Sequence, residues 1–247
     1  GFVSSMDGND PALATTWALA IEEPNLRRNQ VLSTFKRLMQ SDLLAAREAA
    51  VRIMAARGNR VSEFVTETNP PAVRAAALMG VAEKELLSDR LLSRFLQSDD
   101  PFLRHAGAMR LGDAPRVLEN LDPAAVKDPR DRADILLAWR RYARTGVKGP
   151  HDHAGDFLKD ADPDVRLLAV KWVSDDLLTE FRPQIAEMLK STTLDPRSYV
   201  ALATALARLD GKPVNENSLA DYFLERPNDR AAALPARCRA CHLHRVC

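Results

Sequence analysis

The chain has 247 residues, 46% of them hydrophobic, with 35 Lys and Arg against 34 Asp and Glu for a net charge of +1. That is ample apolar material for one or two domains, and the balanced charge removes any bulk electrostatic reason to expect nucleic acid or an anionic membrane as partner. No window approaches eighteen uninterrupted apolar residues, which excludes a membrane-spanning helix from this sequence. Aromatic residues make up only 6%, while Ala, Leu and Arg dominate. These side chains lose little rotamer freedom in a helix, so an all-α fold is expected. The sequence opens at Gly1 without an initiator Met and is read as a fragment of a longer polypeptide, any signal peptide or anchor lying upstream.

A turn-plus-helix unit recurs in chain order: Asp or Asn, then Pro, an apolar residue, often Arg, and a run rich in Ala, Leu and Val. It begins with NDPALATTWALA from Asn9 and EPNLRRNQVLSTF from Glu23, followed by a degenerate copy, SDLLAAREAAVRIM from Ser41, which keeps Asp42 and Arg47 without the Pro. NPPAVRAAALMGVA follows from Asn69, DDPFLRHAGAMRLG from Asp99 and KDPRDRADILLAW from Lys127. DADPDVRLLAVKWV from Asp160 and LDPRSYVALATALARL from Leu194 complete the series. In the copy at Asp160, Asp162 is placed to cap a helix whose first position is Pro163, and Val165, Leu168, Ala169 and Trp172 fall on one face. Second helices are predicted between these starts, ELLSDRLLSRFLQS from Glu85 and DLLTEFRPQIAEMLKS from Asp176, the latter interrupted by Pro183. The later starts lie about thirty residues apart, the length of a helix pair that must stack on its neighbours to bury its apolar face. The expectation is an α-solenoid of stacked helix pairs over residues 1–212.

The pattern Asp100-Pro101-Phe102-Leu103-Arg104, repeated as Asp162-Pro163-Asp164-Val165-Arg166, resembles HEAT-type repeats, and the resemblance covers most of residues 9–210. It implies that Arg74, Arg104 and Arg166 pair with acidic residues of successive units as a structural ladder. A phosphate-binding stripe is the sharper alternative, but the matching acidic residues would cancel the field it needs.

His151 and His153, with Asp152 and Asp156 nearby, are candidate metal ligands. Their place directly after Gly149-Pro150 reads better as a polar loop leading into a helix, because a defensible metal site needs three or four convergent ligands. His105 is a packing or surface residue, and Trp17, Trp139 and Trp172 lie inside apolar helical runs as core residues. After Asp210 the composition shifts. Residues 213–229 read as a last helix, around Leu219, Tyr222, Phe223 and Leu224, and a linker.

All three cysteines fall in the final ten residues, as Cys238, Cys241 and Cys247. Cys238-Arg239-Ala240-Cys241-His242 satisfies the CxxCH attachment signature of c-type haem: each thiol adds its S–H across a haem vinyl group, and His242 supplies a ring nitrogen to the iron as proximal ligand. Zinc or an iron–sulfur cluster on Cys238, Cys241, His244 and Cys247 is a second chemistry that fits these residues. A thioredoxin-type CxxC lacks its βαβ setting, and a tail with incidental thiols is the bland reading. The role of Cys247 stays open.

The segment NDRAAALPARCRACHLHRV resembles the start of a class I cytochrome c domain, with Ala231 and Leu234 standing where Gly and an aromatic residue are common. Residues 230–247 are thus expected to be the truncated start of such a domain, its distal ligand beyond Cys247, since His244 would lie on the proximal side of the porphyrin. A HEAT-like array followed by CxxCH resembles the planctomycete-type proteins in which a dehydrogenase-like β-propeller precedes HEAT repeats and a terminal cytochrome domain. That resemblance implies an exported or periplasmic protein whose haem receives electrons from an upstream donor domain or redox partner. No acid–base pair or activated nucleophile is present, so the chain is not expected to catalyse a reaction alone. The competing reading is a protein-interaction scaffold with a structural zinc site or incidental cysteines.

Overall fold

The computed structural model describes residues 28–88, 91–147, 149–191, 194–215, 217, 220 and 222. Among them the protein is all-α, without a strand, and no helix is long and apolar enough to cross a membrane. The chain divides into two compact units at Val147 and Lys148. The first contains α1 (Arg28–Met39), α2 (Leu44–Ala56), α3 (Pro71–Gly80), α4 (Glu83–Ser88), α5 (Leu91–Leu96), α6 (Pro101–Gly112), α7 (Pro115–Leu118) and α8 (Pro129–Ala143). The second contains α9 (His153–Phe157), α10 (Pro163–Asp175), α11 (Arg182–Leu189) and α12 (Pro196–Leu209).

The Asp-Pro pairs start helices by satisfying backbone donors that have no partner within the first turn. Asp100 accepts from the N–H groups of Phe102 at 2.8 Å and Leu103 at 3.3 Å. Asp162 accepts from Asp164 at 2.9 Å and Val165 at 3.1 Å. Asp128 accepts from Arg130 at 2.8 Å, and Asp195 from Ser198 at 3.0 Å. In each case Pro occupies the first turn, where its missing N–H costs nothing. The helix α3 starts after Pro70 with no side-chain cap; Asn69 turns instead to the Thr66 hydroxyl at 3.4 Å.

The second helix expected from Glu85 is helical on either side of residues 89 and 90, as α4 to Ser88 and α5 from Leu91. The one expected from Asp176 differs. Pro183 does not interrupt a helix but sits in the first turn of α11, the position its fixed φ and missing donor suit. Ahead of it Leu177 takes a positive φ of 52°, and a 3-10 turn over Thr179–Phe181 leads into the helix.

Within the first unit α2, α3, α6 and α8 pack side by side in succession, and in the second α10 packs on α12. The shorter helices fill in beside them, α5 against α6 and α11 against α12. Ion pairs fix the register of the long helices. Arg197 reaches Asp164 at 2.8 Å near the two helix starts, and Arg208 reaches Asp175 at 3.4 Å near the two ends, both pairs 33 positions apart. An identical offset at both ends requires α10 and α12 to run parallel and in register. The α6–α8 pair repeats the device, with Arg104 to Asp131 27 positions apart and Asp113 to Arg141 28 apart.

The core of the first unit is built from side chains such as Leu38, Val51, Val73, Leu78, Phe95 and Leu103. In the second unit Phe157, Trp172, Val173, Ile185 and Leu202 are buried. Gly112 lets α6 approach α8: a Cβ there would stand 2.8 Å from the Ala138 carbonyl oxygen and 2.8 Å from the Arg141 Cβ. The backbone oxygen cannot swing aside as a flexible side chain can. Gly112→Val is therefore expected to force the two helices apart at a cost of about 1–3 kcal/mol, read as a lower urea midpoint.

Candidate functional site

The CxxCH residues Cys238, Cys241 and His242 lie outside the described residues, as do His244, Cys247, Ala231 and Leu234. What is described is the end of the scaffold that precedes them. Tyr222 is 1% exposed; its hydroxyl donates to the Leu194 carbonyl at 3.0 Å, and its ring meets Tyr199 edge-on at 5.3 Å. The sequence marks Tyr222 only as part of an apolar face. The phenol is more specific than that, because it ties the chain after α12 to the turn before it. Asp210, closing α12, takes hydrogen bonds from Arg182 and Lys212. These two cations, Arg182 foremost, hold its carboxyl down at about 2, well below the usual 3.8.

His151 belongs to a 3-10 turn, Pro150–Asp152, and His153 opens α9, so the turn-into-helix reading of this stretch holds. The His153 Nδ1 lies 3.6 Å from Asp156. The His151 ring lies 6.3 Å from Trp172, with its Nδ1 buried and no protein partner for it. Among the described residues no group of three or more His, Cys, Asp or Glu side chains could hold a metal ion.

The expected arginine ladder is only partly present. Arg104 is clamped by two carboxylates of α8, Asp134 at 2.5 Å and Asp131 at 3.3 Å. Arg74 and Arg166 do something else. Arg166 donates to the carbonyls of Asp160 at 2.6 Å and Ala161 at 2.8 Å, in the turn just before its own helix. Arg132 does the same to Val126 and Lys127. Arg74 reaches the Val65 carbonyl at 3.4 Å and lies over the Phe95 ring, 5.6 Å from its centroid. Arg132 and Arg166, each four positions after a capping Asp, thus curl back over the preceding turn, whereas Arg104 at the same position crosses to α8. The inter-helix pairs fall instead to Arg141, Arg197 and Arg208, which the repeat pattern does not single out. The signal that finds them is the recurrence of Asp and Arg at the same offset as the helix starts.

Among the described residues of the first unit, side chains of α2, α3, α6 and α8 line a groove. One part, of about 320 Å³, has a floor of Ala75, Ala76 and Ala106, with Met79, Phe102 and Met109 on its walls. Small side chains on adjacent helices leave the depression, and the longer ones flank it. A second part, of about 380 Å³, shares Met109 and Arg141 and continues past Leu137 to Arg140 and Arg144. Met79 is 40% and Phe102 51% exposed, large apolar side chains held out to solvent on a folded helical face. His105, expected to be a packing or surface residue, is exposed on its edge. Arg141 grips Asp113 with Nε at 2.7 Å and Nη2 at 2.9 Å, and this hydrogen bond raises its already high pKa further.

Comparison with known proteins gives no match, since no family model, no curated protein and no solved structure is significantly similar to the chain.

Proposed function

We propose that the chain is an electron-transfer segment in which a HEAT-like α-solenoid carries a covalently attached c-type haem on Cys238 and Cys241, with His242 as proximal ligand of the iron. The observation that carries this reading is the complete CxxCH at positions 238–242 in a chain whose only other cysteine is Cys247. The donor set fits the group: two thiols at the spacing of two vinyl groups and an imidazole directly after the second. Bound haem supplies one-electron redox chemistry. The residues of the chain hold it, Cys238 and Cys241 by covalent attachment and His242 by its ring nitrogen. The solenoid reading draws support from the capped, Pro-initiated helices and from the parallel register of α6 with α8 and of α10 with α12. In this reading residues 230–247 begin a cytochrome c domain. The protein is exported, because haem c is attached outside the cytoplasm. An upstream donor domain or a redox partner delivers the electron, and the chain itself turns over no substrate.

The test is a pyridine haemochrome spectrum of the chain expressed in the periplasm with a c-type maturation system. The expected result is a covalent c-type signal that is lost in Cys238→Ala plus Cys241→Ala. Folded protein that carries stoichiometric zinc and no haem would overturn the reading in favour of an interaction scaffold with a structural metal on Cys238, Cys241, His244 and Cys247.

A further inference from the structure

We draw no further inference here: the strongest candidate, the groove lined by side chains of α2, α3, α6 and α8, has nothing in the structure to show what covers its apolar floor of Ala75, Ala76 and Ala106.

Discussion

Replacing Trp172 by Ala is expected to destabilise the second unit by about 3–5 kcal/mol, whereas Trp172→Phe is expected to cost less than about 1.5 kcal/mol. Trp172 is fully buried on α10, which packs on both α9 and α12. Truncation to Ala removes the largest fully buried side chain among the described residues and leaves a void that α12, tied to α10 by ion pairs at both ends, cannot close. The Phe variant distinguishes two contributions. The indole Nε1–H is buried without a protein partner, and an unsatisfied buried donor costs about 1–3 kcal/mol. Phe fills most of the volume and carries no donor, so the relief offsets much of the lost packing. Urea denaturation of the three proteins followed by far-UV circular dichroism checks this. A Phe variant as unstable as the Ala variant would show that the indole shape, and not its buried N–H, dominates the site.

Arg104→Ala is expected to cost about 3 kcal/mol at pH 8 and markedly less at pH 5. The side chains of Arg104, Asp131 and Asp134 are 17%, 22% and 13% exposed, so removal of the guanidinium leaves two neighbouring carboxylates with little water. Burial, working against Arg104 itself, raises the Asp134 carboxyl from 3.8 to about 6, and Asp131 adds to the rise. A carboxyl whose folded pKa is raised holds its proton more tightly in the folded state than in the unfolded one. Its contribution to stability is fully present below pH 3.8 and is lost as pH climbs through about 6. The difference corresponds to about 3 kcal/mol between the two limits. Asp134→Asn fixes the side chain in a neutral form that still accepts from Arg104. The stability of this variant relative to the parent should therefore improve steadily from pH 4 to pH 8. Urea midpoints at several pH values read the slope, and a parent and Asn variant that track each other across this range would place the titration elsewhere. The carboxyls of Asp195 and Asp210 are shifted the opposite way, downward. Their contributions disappear only at more acidic pH and leave the Asp134 window clear.

Much of the fold was legible because helix starts are local chemistry. Asp-Pro before an apolar run names both the acceptor for the first free N–H groups and the residue that lacks one, and Asp100, Asp128, Asp162 and Asp195 all cap helices. Where two outcomes share the same local chemistry, the sequence is ambiguous. Pro183 is compatible with a kink or with a first turn, and the structure has the first turn, after a stretch in which Leu177 takes a positive φ. The arginines show the other limit. Arg104, Arg132 and Arg166 stand at the same position after a capping Asp, yet Arg104 crosses to α8 while the other two reach back to carbonyls. A long flexible side chain has several acceptors within reach, and the choice depends on where the next helix places its carboxylates. The groove was not legible at all, since Ala75, Ala76 and Ala106 read as ordinary helical alanines until adjacent helices bring them side by side. The CxxCH, by contrast, is contiguous chemistry and was readable without any fold.

The twin ion pairs between α10 and α12 also bear on how this chain can change length over evolutionary time. Asp164 with Arg197 and Asp175 with Arg208 span the same 33 positions, so a residue gained or lost inside either helix would put one end out of step and rotate every following side chain by a third of a turn or so. A residue gained between Asp176 and Asp195 alters both spans equally and leaves both partners facing each other. Insertions and deletions should therefore accumulate in the connecting stretches, and the interval between helix starts should drift while the helices keep their length.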